Sequence, residues 1–148
     1  MKMKSFINIL VLSIGFVFMG CSIKPDPIVY GSDGCHFCSM TIVDRQHAAE
    51  IVTKKGKAFK FDAIECMVNH LKDIDVSSVE LFLANDFQVP GELIDAKKAT
   101  FLISKDIPSP MGEYLSAFTT RTEAESIEAE NKGKLYSWNE LLTKFKVQ

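Results

Sequence analysis

Excess positive charge is missing from this sequence. Lysine and arginine number 17 against 19 acids, and such a mildly acidic body argues against a nucleic acid as partner. Nothing resembles a basic helix made to lie on a membrane surface. The apolar run from Phe6 to Phe18, broken by Asn8, Ser13 and Gly15, is too short for a comfortable membrane span. No Ser/His/Asp or paired-carboxylate arrangement stands out, which leaves hydrolysis without a motif. A C-x-x-C-H haem attachment site is absent, because His36 lies between the thiols and Ser39 follows Cys38. A thioredoxin-like C-x-x-C opens a helix inside a βαβ frame, whereas here the β-branched run Met40-Thr41-Ile42-Val43 follows. A structural zinc site wants a second Cys/His pair, and only Cys66 with His70 offers one.

What is present begins with an address. Lys2 and Lys4 precede the apolar run, which ends Phe18-Met19-Gly20-Cys21. Charge, apolar core and small residue are the parts of a secretory signal peptide. The last four residues are similar to a bacterial lipobox, with Phe18 where Leu is usual. Residues 1–20 are then a lipoprotein leader and Cys21 the lipid attachment site; an ordinary leader cut nearby is the alternative. Losing Lys2 and Lys4 with the leader takes the formal charge from −2 to −4, so lipid and not charge would hold the protein to a membrane. Residues 21–29, with Pro25 and Pro27, read as a lipidated terminus and flexible tether.

Four cysteines less Cys21 leave Cys35, Cys38 and Cys66. An odd count in an oxidising envelope leaves a thiol unpaired. In Cys35-His36-Phe37-Cys38-Ser39-Met40, two thiols and a thioether fall within six residues. Such soft donors suit Cu(I) first and Zn(II) second; a disulfide switch and a neighbouring pair of buried cysteines are the other readings. Cys38 and Met40 point the same way if the segment is extended, and a bend returns Cys35 to them. Met111, behind Pro108 and Pro110, is a second methionine held in a loop.

The remaining pattern is α+β. Strands are expected over Met40–Val43, Ala48–Thr53, Ala58–Phe61, Val79–Leu83, Thr100–Ile103, Tyr114–Phe118 and Lys134–Tyr136. Asp62 with Glu65 predicts a capped helix whose stripe is Ile64, Met67, Val68 and Leu71. Cys66 and His70 then share the opposite face with Asp62 and Asp73, where they could pair as ligands, and the thiol loop or the second half must fold over that face for Cys66 to join Cys35 and Cys38. Thr122 with Glu125 predicts a helix to about Asn131, ended by Gly133. Ser137 with Glu140 predicts another, striped by Trp138, Leu141, Leu142 and Phe145. We read two small similar halves, each a short antiparallel sheet with a packed helix: residues 30–76 carrying C-x-x-C-x-M, and 77–148 carrying Met111. Each is marginal in size for a lone core, so they are expected to pack together or share a ligand.

Tyr30-Gly31-Ser32-Asp33 before the sulfur segment, Gly56-Lys57, Phe61-Asp62 and Cys66-Met67 resemble the NosL family of copper-binding lipoproteins, accessory to nitrous-oxide reductase. Ile94-Asp95-Ala96, Ser109-Pro110-Met111-Gly112, Ala117-Phe118 and Gly133-Lys134 match that family's second half. The resemblance implies a non-enzymatic Cu(I) carrier in the cell envelope, lipid-anchored and facing the periplasm. It implies nitrous-oxide reductase as client, together with its membrane maturation machinery. Ser22 after Cys21 favours the outer membrane. Cys38 and Met40 match the family's Cys-x-Met ligands, Met111 its second-half methionine, and Cys35 the first cysteine of members that have one. His36 stands where many members have a histidine, as a ligand or a supporting donor; Cys66 is a further candidate. Ser39 replaces a common glycine. A thiol–disulfide oxidoreductase of the envelope and a general copper buffer are the alternatives.

Overall fold

The computed structural model describes residues 22–147; the leader and Cys21 lie outside the described residues. Among the described residues seven strands form two antiparallel sheets. The first, in order β2-β1-β3-β4, is built from β1 (Ala49–Thr53), β2 (Ala58–Phe61), β3 (Val79–Asn85) and β4 (Leu93–Asp95). The second, in order β6-β5-β7, comprises β5 (Thr100–Ile103), β6 (Leu115–Phe118) and β7 (Lys134–Ser137). Among the described residues there are also three α-helices, α1 (Ile64–His70), α2 (Arg121–Asn131) and α3 (Trp138–Phe145), and one short 3-10 turn at Val76–Ser78.

The architecture is the expected α+β pair of small sheets, but the sheets do not divide at residue 76. Strand β3 pairs with β1 along its length, from Ala49 opposite Ala84 to Thr53 opposite Val79. The first sheet therefore runs on to Asp95, and the sequence passes between sheets at Ala96–Ala99. Both sheets then share one core. Ile51, Phe61, Ile64, Met67, Phe82, Phe101, Leu115, Trp138 and Leu141 belong to a single buried cluster, and Trp138 bridges the sheets with its ring 5.5 Å from Phe82 and 5.9 Å from Phe101. Each such side chain gives about 1.5–3 kcal/mol on full burial, which neither half would collect alone.

Helix α1 sits at the centre, touching β1, β2, β6 and α3. Its stripe of Ile64, Met67, Val68 and Leu71 is buried as the 3.6-residue period requires, and so is the opposite side, including Glu65 and Cys66. Its N-terminus departs from expectation. Ala63 occupies the N-cap position with no side-chain cap, because Asp62 and Glu65 are both buried and committed to tertiary partners. The exposed helices follow the local rule. Ser137 and Glu140 form the predicted capping box on α3; on α2 the box is Thr120 with Glu123, two residues ahead of the expected Thr122 and Glu125. Glu125 instead accepts from Arg121 Nε at 2.8 Å.

The expected strand over Met40–Val43 is a loop. It returns beside residues 31–34 through Cys35 N–H to Met40 O (2.7 Å), Ile42 N–H to Asp33 O (2.9 Å) and Gly31 N–H to Ile42 O (2.8 Å). One bridge, Gly34 with Thr41, is all the ladder it makes.

Candidate metal centre

The thiol loop closes as a turn. The Ser39 N–H donates to the Cys35 carbonyl at 3.0 Å, with Ser39 left-handed at φ 65°. A side chain is strained there by roughly 1–2 kcal/mol, a cost that glycine would avoid. The His36 N–H donates to the Lys60 carbonyl at 2.8 Å, docking the loop on β2. Lys60 also reaches Asp33 at 2.8 Å and the Pro27 carbonyl at 2.8 Å, so one side chain ties the loop's start and the N-terminal segment to the sheet.

This docking lays the loop over the face of α1 that carries Cys66. The sulfurs of Cys35, Cys38 and Cys66 and a carboxylate oxygen of Asp62 all lie within 4.8 Å of one another. Cys38 and Cys66 each donate to Asp62 Oδ1 at 3.3 Å. Cys35 and Cys66 are buried, Cys38 is half-buried, and all three are free. The condition set by the helical wheel is thus met by the loop: Cys66 faces away from the apolar stripe and is covered from above.

The cluster holds charge unevenly. The nearby Cys66 thiol, outweighing burial and helped by the backbone around Cys38, Asp62 and Phe37, lowers the Cys35 pKa to about 6. Burial pushes the Cys38 thiol up to about 11, with its contacts to Cys35 and Asp62 adding to the rise. Cys66 is raised as well, first by its bond to Cys35 and then by burial. A soft cation bound here would displace the thiol protons.

The other residues singled out by sequence are placed differently. Met40 is 47% and Met111 39% exposed. The Met111 loop is fastened to α1, where the Ser109 hydroxyl donates to Glu65, next in sequence to Cys66, and the Leu115 N–H donates to the same oxygen at 3.4 Å. His36 stacks on Phe59 with centroids 4.4 Å apart and meets His70 edge-on at 5.0 Å. His70 lies among Phe59, Phe61 and His36, outside the thiol cluster. Asp62 is the residue that sequence reasoning assigned to another task. Its position four before Cys66 on one helix face was the available signal, and the capping grammar overrode it.

Fold and site together define a small two-sheet α+β protein with a preformed thiol cluster suited to a soft metal ion. The NosL family profile matches residues 28–145, and the chain belongs to the NosL family. Among solved structures it is similar to the copper chaperone NosL from Shewanella denitrificans, with a TM-score of 0.71 and 24% identity over 80% of this chain and 96% of that one. No curated protein matches the chain.

Proposed function

We propose that this protein is a copper carrier and not an enzyme, holding its cargo as Cu(I) and delivering it for assembly of the copper centres of nitrous-oxide reductase. The observation that carries the reading is the convergence of three free thiols with Asp62 at the junction of loop and α1. Thiolate sulfurs in twos and threes are the donor set a soft monovalent ion prefers. Membership of the NosL family and the copper-chaperone name of its structural relative support the same cargo. Met40 and Met111, both exposed, are the thioether donors through which copper enters and leaves, while Cys35, Cys38 and Cys66 retain it. Lipid on Cys21 would anchor the carrier in the envelope, facing the periplasm and on the outer membrane in preference to the inner. Nitrous-oxide reductase and its membrane maturation machinery are the partners in this reading.

The test is competition for Cu(I) against a chromophoric chelator under reducing conditions. Wild type should take about one ion, and Cys38→Ser, Cys35→Ser and Cys66→Ser should each weaken binding by roughly tenfold to a hundredfold. Full-strength binding by Cys38→Ser would sink the assignment. X-ray absorption of the loaded protein counts sulfur neighbours and decides whether His36 or a methionine is among the ligands. Delivery is tested separately, by whether nitrous-oxide reductase made in cells lacking this gene is copper-deficient.

A further inference from the structure

The thiol loop has the geometry of a closing disulfide as well as that of a donor cradle. The bond from Ser39 N–H to Cys35 O makes residues 35–39 one tight turn. Side chains three apart on such a turn share a side, roughly 5–6 Å between Cβ atoms, and a disulfide brings them to roughly 3.5–4.5 Å, so the turn closes the bond by tightening about an ångström or two. The Cys35 and Cys38 sulfurs are already within 4.8 Å. Access to the three thiols is unequal: Cys35 is 4% and Cys66 0% exposed, while Cys38 is only half-buried. A sulfur arriving from solvent meets Cys38 first. Behind it, the Cys35 sulfur lies within 4.8 Å of the sulfurs of Cys38 and Cys66.

The geometry points to a Cys35–Cys38 disulfide that opens and closes by exchange with an external dithiol–disulfide protein, always entering at Cys38, and that must be open before metal is held. In closing, Cys38 passes its proton to the neighbouring Cys35 sulfur and attacks the external disulfide, forming a mixed disulfide and releasing one external thiolate. Cys35 gives that proton to the released thiolate and attacks the Cys38 sulfur; the intramolecular bond forms and the second external thiolate leaves, taking its proton from solvent. In opening, an external thiolate attacks Cys38, Cys35 departs as thiolate, and the second external thiol frees Cys38, so that two electrons pass to this chain. Cys66, the third thiol of the cluster, remains a thiol throughout. The exchange stands on geometry alone; its effect on metal rests on the copper reading above. With two of three sulfurs bonded to each other, Cys66 and Asp62 are what remains of the cluster.

The full lipid-modified protein in detergent, metal-free and reduced, is equilibrated with oxidised glutathione, its thiols are counted by alkylation, and the bond is mapped by peptide mass spectrometry. Free thiols should fall from the three of the reduced cluster to one, the bond should be Cys35–Cys38, and dithiothreitol should reverse both. Cys35→Ser should trap glutathione on Cys38. Cu(I) competition on the oxidised sample should be weaker by about a hundredfold or more. A mapped bond that includes Cys66, an adduct on a buried cysteine, or failure to form an intramolecular bond overturns the exchange. If the reduced protein closes the disulfide but ignores Cu(I), the copper reading fails and the exchange stands. If Cu(I) binds equally before and after oxidation, the gating fails and the copper reading stands. Mapping the bond on wild type needs no substitution, so the exchange stays refutable even where Cys35→Ser folds poorly.

Discussion

Lys60→Met tests whether one side chain holds both the N-terminal segment and the thiol loop. The ammonium is 14% exposed and pairs with Asp33 at 2.8 Å and Asp26 at 3.0 Å, besides donating to the Pro27 carbonyl. Burial opposes its charge, but the two carboxylates outweigh burial and hold its pKa above the ordinary lysine value. In return the Lys60 hydrogen bond, with the Val29 N–H behind it, lowers Asp33. Asp26 is 65% exposed, so its pair adds at most a few tenths of a kcal/mol, roughly. The Asp33 pair and the charged bond to Pro27 contribute about 1–2 and about 1 kcal/mol. Methionine keeps much of the apolar cover of the lysine stem, so the expected loss is about 2–3 kcal/mol, read by urea denaturation at pH 7. Asp33 contributes stability above its unfolded value near 3.8, lost as pH falls through its lower folded pKa; the Lys60 share is present below 10.5 and lost as pH rises through its higher folded pKa. The gap between wild type and variant should therefore be widest between those limits and narrow in acid. Hydrogen exchange should rise at Asp26 and His36, whose amides are bonded to Glu50 and to Lys60 itself. A loss below roughly 0.5 kcal/mol at pH 7, or a gap that does not change in acid, would refute the strap.

Gly133→Ala should be among the most damaging small substitutions. Its φ is 128°, and an added Cβ would lie 2.5 Å from the Ile103 carbonyl oxygen and 2.9 Å from Leu102, so a loss of more than about 2 kcal/mol is expected by denaturant titration. Ser137→Ala removes the capping box of α3 and should cost about 1 kcal/mol; an unchanged midpoint would deny the cap a role. Glu65→Gln addresses the buried carboxyl under the Met111 loop. Burial, outweighing the Ser109 hydrogen bond, raises the Glu65 pKa, so its contribution is fully present below about 4.5 and lost as pH rises through the folded pKa. Stability measured across pH 4 to 7 should then fall more in wild type than in Glu65→Gln, and parallel curves would count against that account.

The sequence was legible where a local rule met a solvent-exposed segment. Ser137-x-x-Glu140 capped α3 as read, and Thr120-x-x-Glu123 lay only two residues from the expected box. The same grammar failed at Asp62-x-x-Glu65, and burial is the reason. An exposed acid near a helix start has nothing better to bind than the free N–H groups, whereas a buried one must satisfy its desolvated oxygens wherever partners are densest. Asp62 found two thiols and Glu65 found Ser109 and Leu115. Sheet membership was hidden for a related reason: the pairing of β3 with β1 joins residues about thirty apart, and no periodicity within either strand encodes its neighbour. The thiol cluster combines both difficulties. Its four donors come from a loop and a helix brought together by the docking of His36 on Lys60, yet the wheel had already set Asp62 and Cys66 on one face away from the apolar stripe. A D-x-x-x-C pair at the start of a short helix, off its apolar stripe and with a C-x-x-C loop upstream, is better read as half of a site awaiting its cover than as a cap and a surface thiol. Buried thiols and a buried carboxyl group need partners, and here each of those groups supplies the other's.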